Sequence, residues 1–586
     1  MKEKVRGKRL IRYAVIADSH LNPEEGENTS PWATNHLANQ RNKVVVEAVN
    51  KIGPEFVVHL GDVVHPLPYS KLYESAAKAA NSIFGNLDSK MYITPGNHDV
   101  GDKSLPGNPA AMISEKSCQE YEKFFGKEWQ AFEHKNVYFV IINSCHFGSN
   151  TKREKEQWKW LEQTLDANKN KRIFLFSHYP PYITEENEQN HYDNIDSAPR
   201  KKLIDIIKKY KIEAIFAGHV HTFFINQIDK TWSYALPSST NFRQDYSEIL
   251  RVNPAEEFGR NDLGKFGFFI VDIHEEGHKC HFIRTKGDTK LANSNEIAKQ
   301  INTIEGESSQ DNFSIDMPHD WCEVTNLPFN PPLDAFIRKK VRNDYSILNL
   351  WDCGVRHIRT PITDLADDNF WGRIQLLCNL GIRFTLFTTG PIKDVELNRI
   401  ILIKDSIAAL EYIGLSFDEI HEPPCTGLEN IPTYFSPINP PNSLNENTGP
   451  FDHVMFSGFD IKEVGRQIAL IQKIKADGVV IRISIDLPVL ESIKEFYSTM
   501  DKFHHLIIFD VCLKANKSSV QNCNDDKNLK RVIESAEASK LFPNSIIRLD
   551  TFVDIDRGYF LRNGLFDRRH NPRKASFELR KILRKN

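Results

Sequence analysis

Tyr13-Ala14-Val15-Ile16-Ala17-Asp18-Ser19-His20 is the stretch on which the fold of the first half of the chain turns. Five apolar residues in a row read as a short buried strand, and the strand runs directly into an acid and an imidazole. The arrangement recurs along the chain. Phe56–Leu60 runs into Gly61-Asp62, Met91–Thr94 into Gly96-Asn97-His98-Asp99, Ile173–Ser177 into His178, and Ala214–Ala217 into Gly218-His219-Val220-His221. Val137–Ile142 reads as a further strand, and amphipathic segments such as Asn42–Ile52 and Gln157–Leu165 lie between strands. Buried strands alternating with helices predict an α/β sheet, whose strand carboxyl ends are where ligands bind. After Gly218 the texture becomes strand-rich, with Phe223–Ile228, Trp232–Leu236, Phe266–Ile273 and Lys279–Arg284.

Those strand ends deliver the residue types that a pair of divalent ions needs. Two ions held close together require a bridging anion and mixed nitrogen and oxygen ligands. Asp62 is the natural bridge. Asp18, His20 and His221 complete one ion, and Asn97, His178 and His219 complete the other. A water held between them loses its proton near neutral pH and attacks phosphorus in line. His98 is the spare imidazole, read as the acid that protonates the leaving oxygen or as a group that steadies the developing charge, and Asp99 is placed to orient it. Mixed imidazole, carboxylate and amide donors select Mn, Fe, Zn, Co or Ni over calcium.

The blocks Asp18-Ser19-His20, Gly61-Asp62, Gly96-Asn97-His98-Asp99, His178 and Gly218-His219-Val220-His221 resemble the signature of the calcineurin-like metallophosphoesterase superfamily, over roughly residues 11–285. The resemblance implies a four-layer αββα sandwich, two sheets face to face with helices outside. Within the superfamily, purple acid phosphatases carry a tyrosine ligand where this chain has His65, so a tyrosine-ligated iron centre is not expected. The cyclic-nucleotide branch often reads His-His-Pro-Pro, where this chain has Ser177-His178-Tyr179-Pro180-Pro181. Non-catalytic members have lost metal ligands, whereas every one is retained here. The resemblance therefore implies a dinuclear phosphoesterase. A phosphodiesterase is the favoured reading; a phosphomonoesterase and a binding scaffold are the alternatives.

The composition shifts near residue 300. A polar stretch, Asn293–Asn312, reads as a linker between a first domain at 1–292 and a second at 313–586. The second domain offers candidate strands at Phe313–Ile315, Val355–Arg359, Arg383–Thr388, Leu415–Ile420, Val454–Ser457, Val479–Ile485, Leu506–Val511 and Ile546–Leu549. Most are separated by helical segments, such as the one whose Ile461, Val464, Ile468 and Ile471 share a face. Eight such units predict a (β/α)8 barrel. Gly354–Arg359, Gly381–Leu386 and Gly564–Ser576 resemble segments of glycosidase-like barrels. Such enzymes need two carboxylates at strand ends. Glu419, Glu422 and Asp510 are the candidates, for a bifunctional enzyme or for a barrel that only binds carbohydrate.

Composition bounds the remaining possibilities. With 75 Lys and Arg against 78 Asp and Glu, a net charge of −3, the chain is a poor general binder of polyanions and gives no strong nucleic-acid signal, with room left for a local basic patch. No apolar run approaches the length of a membrane span, and the N-terminus lacks the apolar core of a secretory signal. Nine cysteines without a Cys-x-x-Cys pair fit a reducing cytoplasm. The expected partner is a phosphate ester, sugar-linked if the barrel recognises carbohydrate; nothing in the sequence sets the oligomeric state.

Overall fold

A computed structural model describes residues 5–24, 28, 30–104, 112–304, 311–318, 320–328, 338–414, 428, 430–439, 456–500, 503–513, 525–554 and 563–584. It divides into two compact units. One comprises Val5–Asn302 together with Val324–Tyr345; the other comprises Thr303–Glu323 and Ser346–Asn586.

The first unit is built on two sheets. The strand Arg6–Ile16 is exposed over its first half and fully buried over its second, as the run Ile11–Ile16 requires. It pairs in parallel with Val57–His59, which pairs with Met91–Ile93; on its other side lie antiparallel Gly267–Glu276 and His278–Arg284. The second sheet orders Gln130–His134, Val137–Ile141, Arg172–Ser177, Ala214–Ala217, Thr231–Ala235 and Phe224–Ile228. Helices Ala38–Ile52 and Tyr73–Phe84 make the crossovers of the first sheet and pack on each other; Lys152–Ala167 and Ser197–Tyr210 do the same for the second.

An aromatic layer forms the core between the sheets. The Tyr13 ring stacks on Phe56 at 5.0 Å and meets Phe139, Phe174, Phe176 and Phe216 edge-on at 5.6, 6.3, 6.1 and 6.4 Å. Alternation along the strand turns Arg12 to the other face. There both its donors reach Asp272 of the neighbouring strand at 2.7 Å. The αββα sandwich expected from the motif blocks is the fold observed.

The second unit is a closed barrel of eight parallel strands: Phe313–Asp316, His357–Pro361, Arg383–Thr388, Ile407–Gly414, Thr433–Asn439, Gly478–Ile483, Leu506–Val511 and Ile546–Leu549. Each pairs with the next, and the last pairs with the first. Two strands differ from expectation. The fourth is Ile407–Gly414, while Leu415–Ile420 lies outside the described residues. The fifth is Thr433–Asn439; of Val454–Ser457 only Phe456–Ser457 is described, a short antiparallel partner of Ile438–Asn439. Both misreadings have physical causes. Ile407-Ala408-Ala409-Leu410 shows no alternation, and Pro437 argues against an interior strand until the barrel closes around it.

The stretch expected to be a linker holds a helix, Ser294–Ile304. Ile297, Ala298 and Ile301 are buried on one side of it, a stripe that the polar composition hid. Seven described cysteines are free thiols, and no described helix is long and apolar enough to cross a membrane.

Charge fills part of the barrel interior. Glu411 on the fourth strand accepts from Arg359 at 2.7 Å and Arg548 at 2.6 Å, and Arg548 also reaches Asp510 at 2.6 Å. Burial alone would raise the Glu411 carboxyl, but the two guanidiniums hold it down to about 2. A carboxyl so held is no proton donor at neutral pH, and Asp510 is engaged in the same network. Glu419 and Glu422 lie outside the described residues. Arg548→Met leaves both acids buried and short of a partner. It is expected to destabilise the barrel by roughly 3–5 kcal/mol, read as an earlier unfolding transition in urea.

Candidate active site

Every predicted metal-ligand residue lies at the carboxyl end of a strand in the first unit. Asp18 and His20 follow Arg6–Ile16, Asp62 follows Val57–His59, and Asn97 follows Met91–Ile93. His178 follows Arg172–Ser177, and His219 and His221 follow Ala214–Ala217. All seven are buried.

The loops that carry them are held in unusual backbone conformations. Asp18, His20, Asp62, His219 and His221 all have positive φ, between 45° and 70°. Each such residue costs of order 1–3 kcal/mol unless its surroundings enforce it. Here the loops bond to one another: the His20 N–H donates to the Asp62 carbonyl at 2.9 Å, and the His219 N–H donates to the Asp18 carboxylate at 2.9 Å. Two glycines permit the close approach. A Cβ on Gly96 would sit 2.2 Å from the Asp62 nitrogen, and one on Gly61 would sit 2.6 Å from the Gly96 nitrogen.

The donor atoms converge in two groups that share Asp62. In the first, His20 Nε2 lies 3.0 Å from His221 Nε2 and 3.5 Å from Asp62 Oδ2, and His221 Nε2 lies 3.5 Å from Asp18 Oδ1. In the second, His178 Nε2 lies 2.9 Å from Asn97 Oδ1 and 3.3 Å from Asp62 Oδ1, and His219 Nδ1 lies 3.0 Å from Asn97 Oδ1. Each group is compact enough for one ion.

Hydrogen bonds outside the cluster decide which atoms face inward. His178 Nδ1–H donates to the Leu60 carbonyl at 2.8 Å, so its Nε2 presents a lone pair. His219 Nε2–H donates to the Tyr192 carbonyl at 3.2 Å, so its Nδ1 does the same. Asn97 spends its amide N–H on the Tyr192 hydroxyl at 3.0 Å and turns its oxygen toward both imidazoles. In the group of Asn97, His178 and His219 acceptor therefore faces acceptor, an arrangement that a cation at its centre satisfies. Burial pushes His20, His219 and His221 well below the usual imidazole range, and burial followed by the Asp62 charge pushes Asp18 well above the usual carboxylate range. The donor set fits divalent transition metals.

His98 stands beside this cluster and half-buried, its ring edge-on to His20 at 4.7 Å. Its backbone N–H donates to Asp62 Oδ1 at 2.8 Å. Asp99 does not orient it. The Asp99 carboxylate accepts from the backbone N–H groups of Gly96, Val63 and Val64 at 2.9, 3.0 and 3.3 Å and so ties two motif loops together. The His98 ring instead donates Nδ1–H to the His65 carbonyl. His65 itself stacks on His98 at 5.4 Å.

The sequence reading missed Tyr192, which bonds Asn97 and His219, and Asn241, whose carbonyl lies 3.1 Å from His221 Nδ1. Both sit in polar loops with no recurring pattern. A separate buried triad, Cys118, Glu128 and His146, also has metal-like spacing. Its carboxylate is already engaged by Arg153, by Asn143 at 2.6 Å and by His146 at 2.8 Å.

The first unit has a metallophosphoesterase fold, with a cluster of residues at its strand ends that could hold metal. Comparison with known proteins agrees: residues 11–223 match the family model described as calcineurin-like phosphoesterase. The chain is 28% identical over 187 residues to the serine/threonine-protein phosphatase CPPED1 of Mus musculus, covering 30% of this chain and 57% of the relative. It is 23% identical over 271 residues to the DNA double-strand break repair protein Mre11 of Methanocaldococcus jannaschii, covering 45% and 65%. It is 26% identical over 182 residues to the probable glycerophosphodiester phosphodiesterase GpdQ of Arcobacter nitrofigilis, covering 29% and 57%. The chain thus spans a little over half the length of the phosphatase relatives it matches. These matches and the fold support a calcineurin-like metallophosphoesterase domain in this part of the chain.

Proposed function

We propose that the protein hydrolyses phosphodiesters at a dinuclear centre held by Asp18, His20, Asp62, Asn97, His178, His219 and His221. The observation that carries this is the inward turn of lone pairs on Asn97, His178 and His219, each enforced by a hydrogen bond on the far side of the group. Two divalent ions bound there supply neutralisation of the phosphoryl charge and a nucleophile drawn from water near neutral pH. The chain's own residues do the rest. Asp62 faces both halves of the cluster. His98, held through Nδ1–H by the His65 carbonyl, would deliver from its doubly protonated form the Nε2 proton to the leaving oxygen. The first unit performs the chemistry. Carbohydrate recognition by the barrel rests only on the likeness of its sequence to glycosidase barrels.

Monoester hydrolysis is the second reading, because the CPPED1 relatives are named protein phosphatases, whereas GpdQ is named a phosphodiesterase. Hydrolysis of bis-p-nitrophenyl phosphate and p-nitrophenyl phosphate with added Mn²⁺, beside Asn97→Ala, separates the two. The expected result is faster turnover of the diester, lost in the variant. Preference for the monoester selects the phosphatase, and turnover of neither by a protein without bound metal overturns both.

A further inference from the structure

The hairpin formed by Thr325–Pro328 and Arg338–Val341 follows the first barrel strand in sequence, yet it belongs to the compact unit that contains the metal-ligand cluster. Its contacts explain why. Lys339 is fully buried and donates to Asp193 at 2.5 Å and to Asp245 at 2.6 Å, with Nζ 4.1 Å from the centre of the Tyr246 ring. Arg243 closes the ring of charges, donating to Asp193 at 2.5 Å and to Asp245 at 2.6 Å. Two carboxylates and two cations therefore balance in a buried quartet. Nearby, Arg342 donates to the Thr184 carbonyl at 3.0 Å and to the Asn226 side chain at 2.7 Å, and the Asp344 carboxylate accepts from the Ile225 N–H at 3.0 Å. The segment straps the loop 183–193 from outside.

That loop ends at the cluster. Asp193 follows Tyr192, whose hydroxyl holds Asn97 and whose carbonyl holds His219. Asp193 Oδ1 also lies 3.8 Å from His219 Nε2. We propose that Lys339 is a positioning residue of the phosphoesterase site, acting through Asp193 to keep Tyr192 seated on Asn97 and His219. The inference rests on the assignment of those two residues as ligands. Without Lys339 the quartet holds one uncompensated negative charge, and Asp193 Oδ2 keeps only the Tyr246 hydroxyl, at 2.8 Å. A buried carboxylate in that state, with Arg243 and Tyr246 already engaged, draws on a further donor within reach, the His219 Nε2–H 3.8 Å from its Oδ1. The imidazole then leaves the Tyr192 carbonyl, and its Nδ1 turns away from the ion that it shares with Asn97 and His178.

The test is calorimetric Mn²⁺ titration of the metal-stripped full-length protein, with kcat and KM for the diester and thermal unfolding alongside. The variants are Lys339→Met, Lys339→Arg, Tyr246→Phe and Lys340→Ala. Lys339→Met is expected to weaken one of two binding steps by roughly 10–100-fold and to lower kcat more than it raises KM. Tyr246→Phe, which removes one bond and no charge, should shift the same step in the same direction by less, and it keeps the test alive if Lys339→Met does not fold. Lys339→Arg should restore binding, and Lys340→Ala, whose residue is exposed and pairs with Glu185, should match the wild type. Wild-type affinity and kcat in both Lys339→Met and Tyr246→Phe would overturn the assignment while leaving the dinuclear reading intact. A wild-type protein that takes up no Mn²⁺ would remove both.

Discussion

Asp62→Ala is expected to lose both metal binding and turnover, and by more than any other single change in the protein. Among the described residues, Asp62 is the one carboxylate that faces both groups of donors, with Oδ1 3.3 Å from His178 Nε2 and Oδ2 3.5 Å from His20 Nε2. It also accepts the His98 backbone N–H at 2.8 Å, so its loss releases the loop that carries the proposed acid. Groups that only support a ligand cost roughly 10–100-fold when removed, and a ligand shared by two ions exceeds that range. Metal analysis of the purified variant, read beside its rate on the diester, measures both losses. A third readout separates ligation from folding. Ions that bind only the native state raise the unfolding temperature as their concentration rises. The wild type should show that rise with Mn²⁺ and Asp62→Ala should not, while the two melt alike once stripped of metal. An Asp62→Ala protein that keeps its ions and turns over normally would take Asp62 out of the bridging role.

How much of this was legible in the sequence depends on the range of the interaction. The strand ends were readable because each motif is local: a buried apolar run fixes a strand, and the polar residues after it have nowhere to lie but its carboxyl end. That logic places Asp18, Asp62, Asn97, His178 and His219 without knowledge of the fold. It fails for partners supplied by distant loops. Tyr192 and Asp193 look like any polar loop residues, and Lys339 lies beyond a barrel strand, so nothing in its neighbours connects it to His219. Asp99 shows a subtler failure. Its adjacency to His98 suggested a carboxylate–imidazole pair, but the short helix Asn97–Val100 turns it toward three backbone N–H groups that need an acceptor. In the barrel, Arg359, Glu411 and Arg548 sit on three different strands, and only closure of the ring makes them neighbours. The Ser294–Ile304 helix was hidden because its polar residues outnumber the Ile297, Ala298 and Ile301 stripe that it buries.

The second large effect concerns the proton rather than the metals. His98→Ala is expected to retain its full metal content and to lose about 10²–10⁴-fold in turnover, the range for a positioned general acid. The geometry predicts this separation. The His98 side chain contributes no atom to either group of donors that share Asp62; its link to Asp62 runs through the backbone N–H, which alanine keeps. What alanine removes is a ring whose Nδ1–H is committed to the His65 carbonyl, so that in its doubly protonated form it is the Nε2 proton that can be given up. The loss should therefore scale with the leaving group. An alkoxide leaves poorly unless protonated, whereas a nitrophenolate needs little help, so His98→Ala should be hurt far more on an alkyl diester than on a nitrophenyl one. Measuring both substrates on one preparation makes the comparison internal. Equal losses on the two would mean that His98 stabilises charge on the phosphoryl group instead of protonating the leaving oxygen, and loss of metal from the variant would move His98 into the ligand set, where His20, His65 and His98 do lie close enough to share an ion.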